Sequence, residues 1–284
     1  MEQLIELTNV RKSYGSTVAI DNISLQIPPG RIVGVIGPNG AGKTTLLHAL
    51  TGLINYEGKI NILGIEPKQN RPALMEQTGV IHDISVLPSW MIVKQVLSFH
   101  ESLHTGFDRQ RCESLLSKTD ITLDRKVKQL SKGMKTQLHL SLVLATDTKL
   151  LVLDEPTHGL DILFRKQLYS SVLEDFFDQN KTILIATHQV EEVEHILSDV
   201  IFISRGKLVL YSSIEELQER YIQVIAPNDQ AESIRALKPL VELNLIGKKL
   251  FLLENVAGAD LQKYGEVRTP GIADIFVATM GGDA

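Results

Sequence analysis

Hydrophobic positions form two kinds of run along the chain, and their alternation predicts the fold. Short runs that are apolar almost throughout have the composition of strands buried on both faces; they occur at "RIVGVIG" (31–37), "KLLVLD" (149–154), "KTILIAT" (181–187) and "VIFISRG" (200–206). Leucines at helical spacing in "KTTLLHALTGL" (43–53) predict a helix soon after the first strand. Strands alternating with helices predict an α/β fold with a parallel core sheet covered on both faces.

The remaining segments follow other patterns. Two strands within residues 4–27, with a turn at Gly15, and a strand bracketed by Gly58 and Gly64 indicate an antiparallel β subdomain. Helices are expected at 90–119 with a break at Thr105 and Gly106, at 133–146, at about 162–179 and at 189–198. We therefore expect a large domain over 1–220, with a helical subdomain at about 84–147, and a small α+β accessory domain over 221–284, where the composition changes.

Composition narrows the class of protein. The chain has 284 residues, 43% of them hydrophobic and 22% charged, as in ordinary globular proteins. A net charge of −5 argues against a nucleic-acid-binding surface spread over the protein, so no nucleic-acid partner is expected. The acidic N-terminal segment does not resemble a signal peptide, and no segment approaches the roughly 20 apolar residues that span a bilayer. The chain is expected to be soluble, and its single cysteine fits a reducing compartment.

The stretch "GPNGAGKTT" (37–45) carries the first chemistry. It matches the G-x-x-x-x-G-K-[ST] pattern and lies between a predicted strand and a predicted helix, as a phosphate-binding loop must. Glycines let backbone N–H groups surround phosphate oxygens. Lys43 supplies positive charge to the outer phosphates, and the hydroxyl of Thr44 suits Mg²⁺. The pattern predicts a P-loop NTPase.

A second acidic element is needed to hold the metal. In "KLLVLDEP" (149–156), apolar strand residues lead into Asp154 and Glu155. Asp154, at the end of a parallel strand, would lie beside the phosphate loop, where such sheets bind ligands. Glu155 could polarise a water for in-line attack on the terminal phosphate. Alone, the pair would be interpreted as a solvated turn.

The stretch "QLSKGMKTQL" (129–138) predicts a helix capped by Ser131, with Gly133 leaving the backbone of its first turn uncovered. An ordinary capped helix explains this pattern. A helix N-terminus is also an anion site, which leaves a phosphate-binding role open.

Five elements together resemble the nucleotide-binding subunits of ATP-binding cassette (ABC) transporters, over roughly residues 2–218. They are the phosphate loop, "LSKGM" (130–134), "LVLDEP" (151–156), "HGLD" (158–161) and "ATH" (186–188), in the family's order. The resemblance implies an ATPase that uses ATP and Mg²⁺, acts as a homo- or heterodimer, and works at the cytoplasmic face of the membrane with integral-membrane transporter subunits encoded separately.

The resemblance also implies roles for single residues. Ser131 and Gly133 would contact the γ-phosphate of ATP held by a second, head-to-tail subunit, and Asp161 would bridge the two sites. His188, otherwise a packed or capping histidine, would contact the γ-phosphate and the attacking water. Tyr14, otherwise half-buried packing, would stack on adenine. The nucleotide's phosphates would lie on the loop residues Gly37, Pro38, Asn39, Gly40, Ala41, Gly42, Lys43, Thr44 and Thr45.

The sequence departs from the family pattern at several positions. Lys132 and Met134 replace the second Gly and the Gln of the usual "LSGGQ", and His158 replaces a small polar residue. The Gln that usually follows the strand in "TGVIHD" and reaches the metal has Asp83 or His82 as its counterpart; a carboxylate can still ligate Mg²⁺. Glu155 and His188 remain, so we expect hydrolysis.

Two functions fit a cassette of this kind. The first is a transporter ATPase, similar to bacterial exporters of drugs, antimicrobial peptides or lipid-like compounds, with a docking face between Ile84 and His104. For Trp90 within it, docking and core packing are both open. The alternative is a soluble cassette ATPase associated with ribosomes or DNA. Such proteins carry a second cassette, a long charged linker, coiled coils or zinc sites that this sequence lacks, which favours transport.

Overall fold

The computed structural model describes residues 3–82, 87–158, 160, 162–178 and 180–280. Its strands are β1 (Ile5–Tyr14), β2 (Thr17–Ile27), β3 (Ile32–Ile36), β4 (Glu57–Ile62), β5 (Thr78–Ile81), β6 (Leu150–Asp154), β7 (Thr182–Thr187), β8 (Asp199–Ser204), β9 (Lys207–Ser213), β10 (Tyr221–Pro227), β11 (Val241–Leu245), β12 (Lys248–Glu254) and β13 (Glu266–Arg268). Its α-helices are α1 (Lys43–Leu50), α2 (Arg71–Glu76), α3 (Val93–Leu103), α4 (Arg109–Ser117), α5 (Lys132–Leu144), α6 (Ile162–Asp175), α7 (Val190–Val193), α8 (Ile214–Arg220), α9 (Ala231–Arg235), α10 (Gly258–Leu261) and α11 (Ile272–Met280).

A six-stranded sheet in the order β5-β6-β7-β3-β8-β9 forms the centre of the fold. Its first five strands are parallel, as the sequence predicted. The sixth, β9, is antiparallel to β8. A two-residue turn at Arg205 and Gly206, both with positive φ (48° and 79°), joins these strands, and such turns produce antiparallel hairpins. The edge strand β9 was not predicted.

Two apolar layers cover the central sheet. Along β3, Ile32 and Ile36 contribute to one layer while Val33 and Val35 contribute to the other, because successive side chains point to opposite faces. The second layer also contains the core of the antiparallel sheet β2-β1-β4, through residues such as Ile5. The phosphate loop therefore lies at the junction of two sheets that share one core.

Helices α3, α4 and α5 surround a separate small core, which includes Val96, Leu116 and Leu138. Cys112 is buried in this core, and burial raises the pKa of its thiol to about 12, so it serves as packing and not as a nucleophile at neutral pH.

The C-terminal residues form a second sheet, β11-β12-β10-β13, with its own core around Val224 and Phe251. The last helix, α11, packs against the central sheet and not against this core. The ring of Phe276 lies 5.2 Å from that of Phe202 in β8, and the backbone N–H of Ile272 donates to Glu194 at 3.0 Å. The C-terminal part thus shares a core with the central sheet through α11, and the division at residue 220 remains a prediction.

Candidate functional site

The loop between β3 and α1 is shaped by close backbone contacts. A Cβ added at Gly37 would lie 2.4 Å from the carbonyl oxygen of Ile203, and one at Gly42 would lie 2.4 Å from that of Ala19. Gly42 also has a φ of +108° as the N-cap of α1. Only glycine fits these two positions, so the loop that the sequence predicted has the tight backbone that phosphate binding requires.

Lys43 is buried, with 6% of its surface exposed. Its ammonium donates to the carbonyl of Gly37 at 2.8 Å and to that of Pro38 at 3.4 Å, and it lies 3.6 Å from a carboxylate oxygen of Glu155. The positive charge is therefore held inside the curve of the loop, next to the acidic residue that follows β6. Pro38, Asn39 and Gly40 at the top of the loop are exposed.

Thr44 and Asp154 form the oxygen-rich part of the site. The Thr44 hydroxyl donates to Asp154 Oδ1 at 3.1 Å. Burial raises the pKa of Asp154, and the hydrogen bond from Thr44 partly offsets this shift. A hydroxyl and a carboxylate oxygen side by side are the ligand types that Mg²⁺ prefers, so these residues fit the metal that the family implies. Thr45, the next residue, is half-buried in the first turn of α1.

Glu155 and His188 form a pair beside Lys43. Glu155 Oε2 lies 2.9 Å from His188 Nδ1, while the other carboxylate oxygen faces Lys43. The Glu155 side chain is 17% exposed and that of His188 is 40% exposed, so both can reach a ligand. Glu155 has a φ of +48°, a strained value for a residue other than glycine, and such strain is concentrated at functional sites.

An arginine that the sequence reasoning missed connects the loops that carry this pair. Arg165 in α6 donates to the carbonyl of Leu160 and to the side chain of Gln189, both at 2.8 Å, and pairs with Glu192. Gln189 directly follows His188. Arg165 therefore ties the chain after β6 to the chain after β7, although its sequence neighbourhood carries no motif.

Two of the predicted trans residues lie at the start of α5. Ser131 is its N-cap: the hydroxyl accepts from the backbone N–H of Met134 at 3.1 Å, which confirms the predicted cap. Among the described residues, the nearest atoms to a Cβ on Gly133 would be those of Leu160 at 3.8 Å and the Ser131 hydroxyl at 3.9 Å. Asp161, the third trans residue, and Asp83, the predicted metal ligand, lie outside the described residues, as does Val86 of the predicted docking face.

Tyr14 lies at the end of β1 and is 50% exposed. It pairs with Thr17 across the hairpin, and Ala19 of the same hairpin contacts the phosphate loop at Gly42. Its ring is thus accessible near the loop. Lys12 lies 4.9 Å from the ring centre, at cation–π distance.

His48 and His82 were not predicted to lie together. The ligand atoms of His48, His82 and Asp154 lie within 4.8 Å of one another, and the two imidazole rings are 5.7 Å apart. Burial, with smaller contributions from His48 and Arg71, lowers the pKa of His82. From the sequence, His82 is a possible counterpart of the family's Gln, whereas His48 carries no signal beyond its position one helical turn after Thr44.

Comparison with known proteins identifies the family. The ABC transporter family model matches residues 20–158. The chain is 33% identical over 228 residues to the lantibiotic transport ATP-binding protein SrtF of Streptococcus pyogenes, covering 77% of this chain and 96% of the relative. It is 32% identical over 300 residues to the Nod factor export ATP-binding protein I of Cupriavidus metallidurans, covering 99% and 98%.

A solved structure of a dimeric ATP-binding cassette in a post-hydrolysis state, bound to ADP and Pi, has a similar fold. Its TM-score is 0.63 at 22% identity, covering 74% of this chain and 98% of that one.

A phosphate loop at the carboxyl edge of a mostly parallel sheet, with the buried Asp154 and the half-buried Glu155 beside it, defines a nucleotide-binding α/β protein of the P-loop class. The chain belongs to the ABC transporter family and is one of its ATP-binding, ATP-hydrolysing subunits. This confirms the predicted fold and class. Within the described residues, the structure contains no helix long and apolar enough to cross a membrane.

Proposed function

We propose that this chain binds Mg–ATP on residues 37–45 and hydrolyses it with Glu155 and His188. The observation that carries the proposal is the geometry of Glu155, whose carboxylate lies 2.9 Å from His188 and 3.6 Å from Lys43. A base, a cation and a second polar group therefore face one another beside a loop built for phosphate.

Binding divides among the loop residues by their chemistry. Backbone N–H groups from Asn39 to Thr45 would surround the β- and γ-phosphates, and the Lys43 ammonium would leave its carbonyl partners to contact the outer phosphates. Thr44 and Asp154 would hold the Mg²⁺, which neutralises phosphate charge when bound. Asp83 is proposed as a further ligand. Tyr14 would stack on adenine, since half of the residue is exposed.

Glu155 is proposed to act as the general base. Its carboxylate would accept a proton from a water whose oxygen attacks the γ-phosphorus in line, while the bond from that phosphorus to the β,γ-bridging oxygen breaks and ADP leaves. His188, held by Glu155 on one nitrogen, would present the other nitrogen to the γ-phosphate. Arg165 would hold together the two loops that carry Glu155 and His188.

Dimer formation would complete each site. Ser131 and Gly133 at the uncovered start of α5 would contact the γ-phosphate bound to the partner subunit, and Asp161 would link the two sites. The dimeric cassette structure of similar fold supports this proposal.

The transported compound is proposed to be a peptide or a lipid-like molecule that is exported through separate integral-membrane subunits. Similarity to a lantibiotic transport protein and to a Nod factor export protein supports this proposal. The proposed docking face lies around the start of α3. Trp90 is 68% exposed there, so it is not core packing, whereas Leu87 and Met91 pack against the helical core. Docking would place the chain at the cytoplasmic face of the membrane.

Calorimetry with Mg–ATP tests the binding part of the proposal. Wild-type protein should bind, and Lys43→Ala should bind far more weakly, because the buried ammonium is the main positive charge in the loop. Equal affinities of the two proteins would contradict the assignment.

Purification of the tagged chain from membranes of its own cells tests the transport part. We expect an integral-membrane protein to co-purify, and the ATPase rate of the complex in lipid vesicles to rise when amphipathic peptides or lipid-like compounds are added. Loss of that partner on Trp90→Ala, with the fold intact, would support the docking face. Recovery of ribosomes in place of a membrane protein would overturn the proposal.

A further inference from the structure

Two histidines face the proposed magnesium ligand Asp154 from different elements. His48 lies on α1 and His82 directly follows β5, and each offers a ring nitrogen within 4.8 Å of the other and of an Asp154 carboxylate oxygen. Both histidines are half-buried, and Asp154 is 5% exposed. His48 has no role in the proposed hydrolysis, and His82 enters it only as the alternative to Asp83 as the counterpart of the family's Gln.

The fold brings these three residues together. Strands β5 and β6 are parallel neighbours in which Ile81 pairs with Leu153, so the next residues, His82 and Asp154, emerge side by side at the carboxyl edge of the sheet. His48 lies four residues after Thr44 on α1, and residues at this spacing share one helix face. Because Thr44 already donates to Asp154, His48 is directed to the same carboxylate.

Two imidazoles and one carboxylate are a donor set for zinc more than for magnesium, which prefers oxygen ligands. Zinc binds histidine nitrogen and carboxylate oxygen at about 2.0–2.2 Å, so the ligand atoms of a tetrahedral site lie about 3.3–3.6 Å apart. The ligand atoms of the three residues lie within 4.8 Å of one another, and rotation of the two partly exposed histidine side chains would bring them to that spacing.

We propose that His48, His82 and Asp154 form a Zn²⁺ site that shares Asp154 with the Mg–nucleotide site, so that zinc inhibits the ATPase by competing for that carboxylate. Zinc held on three protein ligands would engage Asp154 and hold it away from Thr44. A second dication at the same carboxylate would be repelled by the first. The zinc site itself does not depend on the proposed hydrolysis, whereas the competition does.

Direct binding is measured without nucleotide. Metal-free protein is titrated with Zn²⁺ by calorimetry and with Co²⁺ by visible absorption, because histidine-bound Co²⁺ of low coordination number gives intense bands. We expect one Zn²⁺ per chain. His48→Gln and His82→Asn should each weaken binding at least about tenfold, since even loss of a group that only orients a metal ligand costs 10–100-fold. His195→Gln changes an exposed histidine outside the cluster and is the matched control.

The competition is measured as the Zn²⁺ concentration that halves Mg–ATP hydrolysis. It should rise with Mg²⁺ concentration in the wild type, and it should rise at least about tenfold in either histidine variant. The zinc-free rate of His48→Gln should equal that of the wild type. The inhibition of His82→Asn is expressed relative to that variant's own zinc-free rate, because His82 is the alternative to Asp83 beside the magnesium site. Thermal unfolding of each variant checks that it folds.

Stoichiometric zinc binding that survives both substitutions would overturn the site. If the variants lose zinc binding but zinc does not affect Mg–ATP hydrolysis by the wild type, the competition is wrong and the zinc site stands. Failure of the wild type to hydrolyse ATP would contradict the proposed function but would not alter the binding titrations.

Discussion

Gly133→Asp should leave the fold of the monomer intact while disrupting the contact that Gly133 is proposed to make with ATP bound to a partner subunit. A side chain at residue 133 would meet Leu160 and Ser131 no closer than 3.8 Å, and Gly133 does not have positive φ, so aspartate fits the monomer. As the second residue of α5, an aspartate also gains about 0.3–1 kcal/mol from the helix dipole. The substitution should leave monomer stability unchanged or slightly higher.

The cost should appear only when two subunits close on ATP. If residue 133 lies over a partner's γ-phosphate, the new carboxylate would approach a phosphate oxygen to about 4 Å. At an effective dielectric constant of about 20, two like charges at this distance repel by about 4 kcal/mol. This corresponds to a weakening of ATP-dependent dimerisation by about three powers of ten.

Sedimentation of the ATP-bound protein measures this effect. The substitution is placed in a Glu155→Gln background, which should prevent hydrolysis, and Gly133→Asn in the same background is the matched control because it adds nearly the same volume without charge. We expect a dimer for the asparagine variant, a monomer for the aspartate variant, and equal ATP affinity of the two monomers. ATP-dependent dimerisation of the aspartate variant as tight as that of the control would refute the trans role of Gly133.

Two further outcomes follow from the packing of the site and of the helices. In urea unfolding, Gly42→Ala should lower the free energy of unfolding more than Gly40→Ala does. Both positions have positive φ, so alanine costs about 1–3 kcal/mol of strain at each, but a Cβ at Gly42 would also lie 2.4 Å from a carbonyl oxygen. Equal losses of unfolding free energy would show that the loop can shift away from Ala19. Burial lowers the pKa of His100 and His139 to about 4, so the folded state binds fewer protons than the unfolded state below pH 6.5. The contribution of these two histidines to the free energy of unfolding should therefore be complete above pH 6.5 and should fall as the pH drops towards 4. His139→Gln should make the free energy of unfolding depend less on pH in this range. An unchanged pH dependence would contradict the burial of a neutral His139 ring.

The sequence predicted the parts of the site that depend on local patterns. The phosphate loop was predictable because its glycines, Lys43 and Thr44 lie in one continuous motif between a strand and a helix. Asp154 ends a buried strand and Glu155 directly follows it, and Ser131 predicts the cap of α5. Each of these signals is carried by residues adjacent in the chain.

Features that depend on contacts distant in sequence were not predicted. His48 and His82 meet at Asp154 only because β5 pairs with β6, and strand order is not encoded in the neighbourhood of either histidine. The same holds for Arg165 and for the packing of α11 against β8. The antiparallel edge strand β9 is different, because the turn at Arg205 and Gly206 is a local two-residue signal for a hairpin.

The roles assigned to Tyr14, Ser131, Gly133, Asp161, Asp83 and His188 remain predictions, because they concern a nucleotide or a second subunit.

Single-turnover hydrolysis by Glu155→Gln directly tests whether Glu155 is the general base. Glutamine keeps the shape of the side chain and carries the same backbone strain at φ +48°, so the fold and the binding of Mg–ATP should persist. Loss of the general base should slow phosphate formation by about 10²–10⁴-fold, equivalent to about 3–5 kcal/mol in the barrier. We expect Glu155→Gln to bind ATP as the wild type does and to form phosphate at least about a hundredfold more slowly. Phosphate formation at the wild-type rate would contradict the assignment of Glu155 as the base.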